Sequence, residues 1–249
     1  MVIGDVDGDG DLDLATVSNE IVSVVFNQGD ATFAPPMHYS INFTQPGNLY
    51  DGYKLDLGDL DHDGDLDMAV GQMALGQVVI MMNNGDGIFG PLLTYPADDF
   101  EPVVVDFGDM NGDGTLDLTV FVVNSWQSRL LCVLLNDGTG KLLTDQESHN
   151  WWAPPSPYWP NPRQIGFTDI DGDADLDVVV LNQGDPFVPV YLANFAVVRN
   201  LGGGVLAQPV HYPISGSYPF SMRVGDLDGD GDEDIVTCGP ADYSQATGT

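Results

Sequence analysis

"GDVDGDGDLDLATV", residues 4–17, sets Asp5, Asp7, Asp9, Asp11 and Asp13 into nine positions and then turns apolar. Two carboxylates about 5 Å apart repel by roughly 3 kcal/mol at an effective dielectric near 20. Such a segment is costly unless something positive sits among its oxygens. The pattern returns four more times, as "GDLDHDGDLDMAV" (58–70), "GDMNGDGTLDLTV" (108–120), "TDIDGDADLDVVV" (168–180) and "GDLDGDGDEDIVT" (225–237). The first acids are Asp5, Asp59, Asp109, Asp169 and Asp226, spaced 54, 50, 60 and 57 residues apart. A near-regular period of that size marks an array of supersecondary units.

A second motif recurs between the loops: "VVFNQGDATF", "IMMNNGDGIF", "VLLNDGTGKL" and "VVRNLGGGVL". Each is an apolar run broken by Asn-x-Gly, which reads as a β-hairpin turn because both residues tolerate positive φ. Strands are expected before and after each acidic loop and on both sides of each Asn-x-Gly turn. Four short strands per unit, with almost no helical periodicity, predict an all-β chain: a β-propeller of four-stranded antiparallel blades. A β-sandwich would not explain the period. The count is four full units and a fifth that stops after its loop and one strand, within one domain over 1–249.

Each loop fits D-x-[DN]-x-[DN]-x-x-x-D. In the second, Asp59, Asp61 and Asp63 alternate, Gly64 permits a sharp turn, Asp65 offers its backbone carbonyl and Asp67 closes the shell at position nine. Six or seven hard oxygens suit Ca²⁺ better than Mg²⁺ or a transition metal. The expected ligand sets are Asp5, Asp7, Asp9, Asp11 and Asp13; Asp59, Asp61, Asp63, Asp65 and Asp67; Asp109, Asn111, Asp113, Thr115 and Asp117; Asp169, Asp171, Asp173, Asp175 and Asp177; and Asp226, Asp228, Asp230, Asp232 and Asp234. About five structural calcium ions follow. An EF-hand is excluded, because it needs a Glu at position twelve and flanking helices. Asn111 removes a charge from the third site. Ala174 replaces a turn glycine. Glu233 stands where Leu12, Leu66, Leu116 and Leu176 recur, at a position expected to pack under the loop.

These residues resemble the FG-GAP/VCBS repeat family, the calcium-loop propeller blades of integrin α subunits and many secreted bacterial proteins. The resemblance spans nearly the whole chain. It implies a loop formed as a hairpin between the first two strands of a blade, with calcium as a structural ligand. Family propellers commonly have seven blades, so a chain with four and a part leaves ring closure open. The chain also enters a repeat at its fourth residue, which reads as a mature or partial chain.

The formal charge is −32, from 38 acids and 6 bases, and the five loops hold 24 of those acids. The charge therefore belongs mostly to the loops, and no basic patch for nucleic acid exists. The apolar runs are too short to span a membrane. Cys132 and Cys238 admit one disulfide or two buried free thiols. Asn42-Phe43-Thr44 is an N-glycosylation sequon. His38, His62, His149 and His211 sit at strand or non-liganding loop positions, and no nucleophile elbow, phosphate loop or Cys-x-x-Cys is present. The outlying segment "SHNWWAPPSPYWPNPR" (148–163) carries Trp151, Trp152, Tyr158 and Trp159 among prolines, either as a cap or as a contact surface for protein or glycan. A second insertion lies at 182–195. The reading is an extracellular, secreted or cell-surface calcium-binding scaffold for binding or adhesion, without catalysis. The rivals are a structural subunit of an assembly, joined through an open blade edge, and an accessory domain of a carbohydrate-active enzyme.

Overall fold

The computed structural model describes residues 1–18, 21–41, 54–72, 75–96, 101–123, 129–143, 149–150, 161–183, 193–214 and 219–239. The sequon, the Trp151–Trp159 segment and most of the 182–195 insertion lie outside these residues. Among the described residues eighteen strands are present: β1 (Val2–Gly4), β2 (Asp13–Ser18), β3 (Ile21–Val25), β4 (Met37–Ser40), β5 (Leu55–Gly58), β6 (Asp67–Gln72), β7 (Gln77–Met81), β8 (Leu93–Pro96), β9 (Glu101–Gly108), β10 (Asp117–Val123), β11 (Arg129–Leu134), β12 (His149–Asn150), β13 (Asn161–Thr168), β14 (Asp177–Gln183), β15 (Asn194–Val198), β16 (Val210–Pro213), β17 (Ser221–Gly225) and β18 (Asp234–Cys238).

They form five antiparallel sheets of two to four strands. The first runs β1-β2-β3-β4, the second β5-β6-β7-β8 and the fourth β13-β14-β15-β16; the third holds β9, β10 and β11, and the fifth is β17-β18 alone. The chain thus repeats one meander, of whose last copy the described residues hold two strands. Among the described residues no helix is long and apolar enough to cross a membrane.

The chain divides into two compact units. One comprises Met1–Asp109, Asp113–Gln127 and Leu131–Ser148; the other comprises Met110–Gly112, Ser128–Leu130 and His149–Thr249. Within the first, the outer strands of the first sheet bury Val22 and Val24 against Met68, Val70, Val79, Met81 and Phe89 of the second repeat. Within the second, Val179, Leu181 and Met222 are buried together, with Phe195, Val224 and Ile235 packed around them. Every residue of β6 and β14 is buried, which explains their near-continuous apolar sequences. β18 is at most half-buried along its length.

Leu66 packs across onto Gly4 of the preceding repeat, where a Cβ would meet its Cδ1 at 2.6 Å, and Leu116 meets Gly58 in the same way at 2.8 Å. This corrects the expectation that the position-eight leucine packs under its own loop. Leu12, the first of the series, is 60% exposed. Cys132 and Cys238 are both free thiols, and burial pushes Cys132 up to about 12.

Asp56 on β5 and Asp106 on β9 form a carboxyl pair outside the loops. The Phe107 N–H donates to Asp56 Oδ2 at 3.0 Å. Burial first, then the charge of Asp56, pushes Asp106 up to about 8. From about pH 4 to 8 the folded chain therefore holds a proton that the unfolded chain has released, so this group lowers stability as pH rises through that window. The expected outcome is that Asp106→Asn raises the melting temperature more at about pH 9 than at about pH 5. An equal gain at both pH values in calorimetry would show that the pair does not share a proton.

Candidate metal centres

Each acidic loop closes a hairpin. Gly4 pairs with Asp13, Gly58 with Asp67, Gly108 with Asp117, Thr168 with Asp177 and Gly225 with Asp234. The ends of two adjacent strands thus hold the loop, and backbone N–H groups fix its carboxylates. Asp5 accepts Asp9 N–H at 3.1 Å and Gly10 N–H at 3.0 Å. Asp109 accepts Asp113 and Gly114, and Asp169 accepts Asp173 and Ala174. Asp59 and Asp226 accept Gly64 and Gly231 in the same way. Position five (Asp9, Asp63, Asp113, Asp173, Asp230) accepts the N–H of position seven (Asp11, Asp65, Thr115, Asp175, Asp232) at 2.8–3.0 Å.

Position nine is the anchor. Asp13 accepts Val6 N–H at 2.9 Å and Asn27 N–H at 2.7 Å. Asp67 accepts Leu60 and Asn83, and Asp177 accepts Ile170 and Asn200, at 2.7–3.0 Å. Asp117 accepts Asn136 N–H at 2.8 Å. Asp13, Asp67, Asp117 and Asp177 are fully buried.

The Asn-x-Gly turn is therefore part of the site, which the sequence reading missed. Its asparagine also donates from Nδ2 to the position-eight carbonyl of its own loop: Asn83 to Leu66, Asn136 to Leu116 and Asn200 to Leu176, at 3.0–3.2 Å. A second Nδ2 bond goes to position two of the preceding repeat: Asn83 to the Val6 carbonyl at 2.7 Å, Asn136 to Leu60 at 2.6 Å and, in the unit that holds Met110, Asn200 to Met110 at 2.7 Å. The turn glycines Gly29, Gly85, Gly138 and Gly202 all adopt positive φ, and position seven lies close against the first two. A Cβ at Gly29 would stand 2.5 Å from Asp11, and one at Gly85 would stand 2.6 Å from Asp65. The recurrence of one Asn-x-Gly after each of the first four loops was the signal available in the sequence, although the spacing grows from 14 to 23 residues.

Carboxylate oxygens of positions one, three and nine lie within 4.8 Å of one another in three loops: Asp5, Asp7 and Asp13; Asp59, Asp61 and Asp67; Asp169, Asp171 and Asp177. In the fifth, Asp226, Asp228 and Asp230 converge instead. Oδ1 of Asp7, Asp59 and Asp61 is buried with no hydrogen-bond partner among the described residues. Burial, then neighbouring carboxylates, raises the pKa of Asp7 and Asp61. Burial raises Asp67 to about 6, and it raises Asp177 as well. Desolvated, unpartnered anionic oxygens held by backbone N–H groups fit a hard divalent cation. In the fourth loop, Arg199 pairs with Asp171 at 3.2 Å, so a fixed cation already meets one of its acids.

A family model described as an FG-GAP-like repeat matches residues 5–70, 59–120 and 169–237. The chain belongs to the FG-GAP-like repeat family. Each FG-GAP match opens on the first acid of a loop and runs through the next loop. No curated protein matches the chain. Among solved structures, the Photorhabdus luminescens Tc holotoxin pore is 20% identical with a TM-score of 0.51, over 96% of this chain and 11% of that one. An Agrocybe aegerita lectin that recognises non-reducing terminal N-acetylglucosamine is 20% identical with a TM-score of 0.43, over 95% of this chain and 73% of the lectin. The chain therefore spans a small part of the toxin's length, and that likeness is one of fold.

Two loop positions adopt positive φ: position four, where Gly8, Gly112, Gly172 and Gly229 stand, and position six, where Gly10, Gly64, Gly114 and Gly231 stand. His62 (φ 61°) and Ala174 (φ 75°) are the exceptions. Each carries a left-handed strain of about 1–2 kcal/mol that glycine relieves. The expected outcome is that His62→Gly and Ala174→Gly each raise unfolding stability by about 1 kcal/mol, less the entropy glycine loses on folding. Denaturant titration checks this, and a loss in either variant contradicts it.

Proposed function

We propose that this FG-GAP repeat chain is a calcium-stabilised β-propeller scaffold, working outside the cell as a binding or adhesion module. The convergence of positions one, three and nine in three loops, with unpartnered buried oxygens at Asp7, Asp59 and Asp61, supports the metal reading. Five repeated antiparallel sheets and the likeness to the toxin pore's fold support the propeller arrangement. Calcium here is structural. The ion would be held by the carboxylates of positions one, three and nine, joined by position five and the position-seven carbonyl. It supplies positive charge that offsets the mutual repulsion of these groups. The chain's own N–H donors orient the oxygens.

Ligand contact is assigned to the Trp151, Trp152, Tyr158 and Trp159 segment, for which a protein or a glycan is the candidate. No catalytic role is proposed for any residue. The extracellular setting rests on ion supply, because sites of this open, carboxylate-rich kind are filled where calcium is abundant.

Extracellular modules bind calcium at about 10⁻⁴–10⁻³ M. At ten times Kd each site adds about 1.4 kcal/mol, so five independent sites add roughly 7 kcal/mol. The expected outcome is a melting temperature that drops by tens of degrees with EDTA and returns with excess Ca²⁺, and calorimetric binding of about five equivalents. A chelator-insensitive melting curve would refute the calcium reading.

A further inference from the structure

The residue just before the turn asparagine lies beside position three of its own acidic loop. A Cβ at Gly87 would meet Phe26 and, at 3.4 Å, the Asp7 Cβ; one at Gly140 would meet Met82 and, at 3.5 Å, the Asp61 Cβ. In repeats one and two these neighbouring places thus pair an acid with an apolar side chain. In the third repeat they hold Asn111 and Leu135, so position three carries no charge there. The fourth repeat departs from this pattern. Asp171 stands with Arg199, whose Nη1 donates to Asp171 Oδ2 at 3.2 Å.

That bond changes what the loop lacks. Oδ1 of Asp7 and of Asp61 is buried and has no hydrogen-bond partner among the described residues. Asp171 is instead met by a full positive charge, and its side chain is 30% exposed. It still keeps a carboxylate oxygen within 4.8 Å of those of Asp169 and Asp177. The fourth loop therefore offers the same three acids as the first two, with one of them already paired. A positive charge fixed beside a carboxylate reduces the gain from placing a second cation there, because the two cations repel. A guanidinium does not shed its charge in a protein, so the effect holds at any ordinary pH. The Arg199 side chain is 56% exposed. Water and salt therefore screen the repulsion, which weakens a metal site here without abolishing it.

We propose that Arg199 is the resident counter-cation of the fourth acidic loop and sets the calcium affinity of that site below that of the first two. The proposal rests on the calcium reading given above. It divides the array into two kinds of site. Loops one and two leave buried anionic oxygens that the chain itself does not satisfy, so they hold an ion most firmly. Loop four has part of its charge neutralised by its own repeat. It gives up its ion first as calcium falls, and it depends least on the ion for its shape. One side chain makes that difference, at a place where Phe26, Met82 and Leu135 stand in the other repeats.

The test withdraws calcium from the loaded protein with a chelator buffer and follows backbone amide signals of each loop by NMR. The unaltered chain is compared with Arg199→Met, the residue of the second repeat, and with Arg199→Lys, which keeps the charge. In the unaltered chain, residues 169–177 are expected to lose the ion at a calcium concentration about fivefold or more above that for residues 5–13. Arg199→Met lowers the fourth-loop midpoint by about fivefold and leaves the first-loop midpoint in place. Arg199→Lys keeps the fourth-loop midpoint high. The strain at Ala174 is common to all three proteins and cancels in the comparison. An unmoved fourth-loop midpoint in Arg199→Met overturns the proposal, and so does an equal drop in Arg199→Lys. With either of those results, a calcium response in loops one and two leaves the calcium reading standing. No response in any loop refutes that reading and the proposal with it.

Discussion

One asparagine side chain per repeat holds this architecture together. At Asn83 and its counterparts the backbone N–H reaches a buried aspartate, and the two Nδ2 hydrogens reach carbonyls in two different repeats. All of these groups are withdrawn from water, where an unmade bond costs about 1–3 kcal/mol. No other side chain of similar size supplies two amide hydrogens in that fork together with an acceptor oxygen that caps the following turn. The acidic loop, the outer hairpin and the preceding repeat are therefore fixed together. Loss of that side chain would strand two carbonyls at once, while the backbone N–H at the same position still reaches the aspartate.

The charge of the loops is handled in two stages. Backbone N–H groups take one set of carboxylate oxygens and hold each acid in a defined direction, as Val6 and Asn27 do for Asp13. The remaining oxygens face inward on one another. The first stage gives a loop its shape from the protein alone, and the second leaves a concentrated negative field that a divalent ion neutralises. Position nine belongs to both stages. It is buried and doubly hydrogen-bonded, yet it lies within reach of positions one and three.

The sheets and loops were legible in the sequence because both are periodic. The alternating acids recur at fixed offsets within each loop, an Asn-x-Gly turn follows each of the first four loops, and the loop boundaries fall where the register pairs Gly4 with Asp13 and its equivalents. What joins one repeat to the next was not legible. The bond from Asn200 to the Met110 carbonyl spans 90 positions, and no local pattern marks it. The position-eight leucine likewise read as a local support, when its partner is a glycine one repeat earlier. The proton held by Asp106 depends on Asp56, fifty residues away on another sheet, and no composition or spacing rule points to that pair.

The first hairpin carries Ala31 at φ 67°, where the second and third carry Gly87 and Gly140. In those two a methyl group would stand 2.5 Å from Phe26 or 2.6 Å from Met82 of the repeat before. Ala31 is exposed, and Phe33 two residues later is 49% exposed where Phe89 is 6%. An alanine-bearing hairpin set behind Phe26 would therefore push that ring aside, whereas a glycine-bearing hairpin fits both places without such a shift.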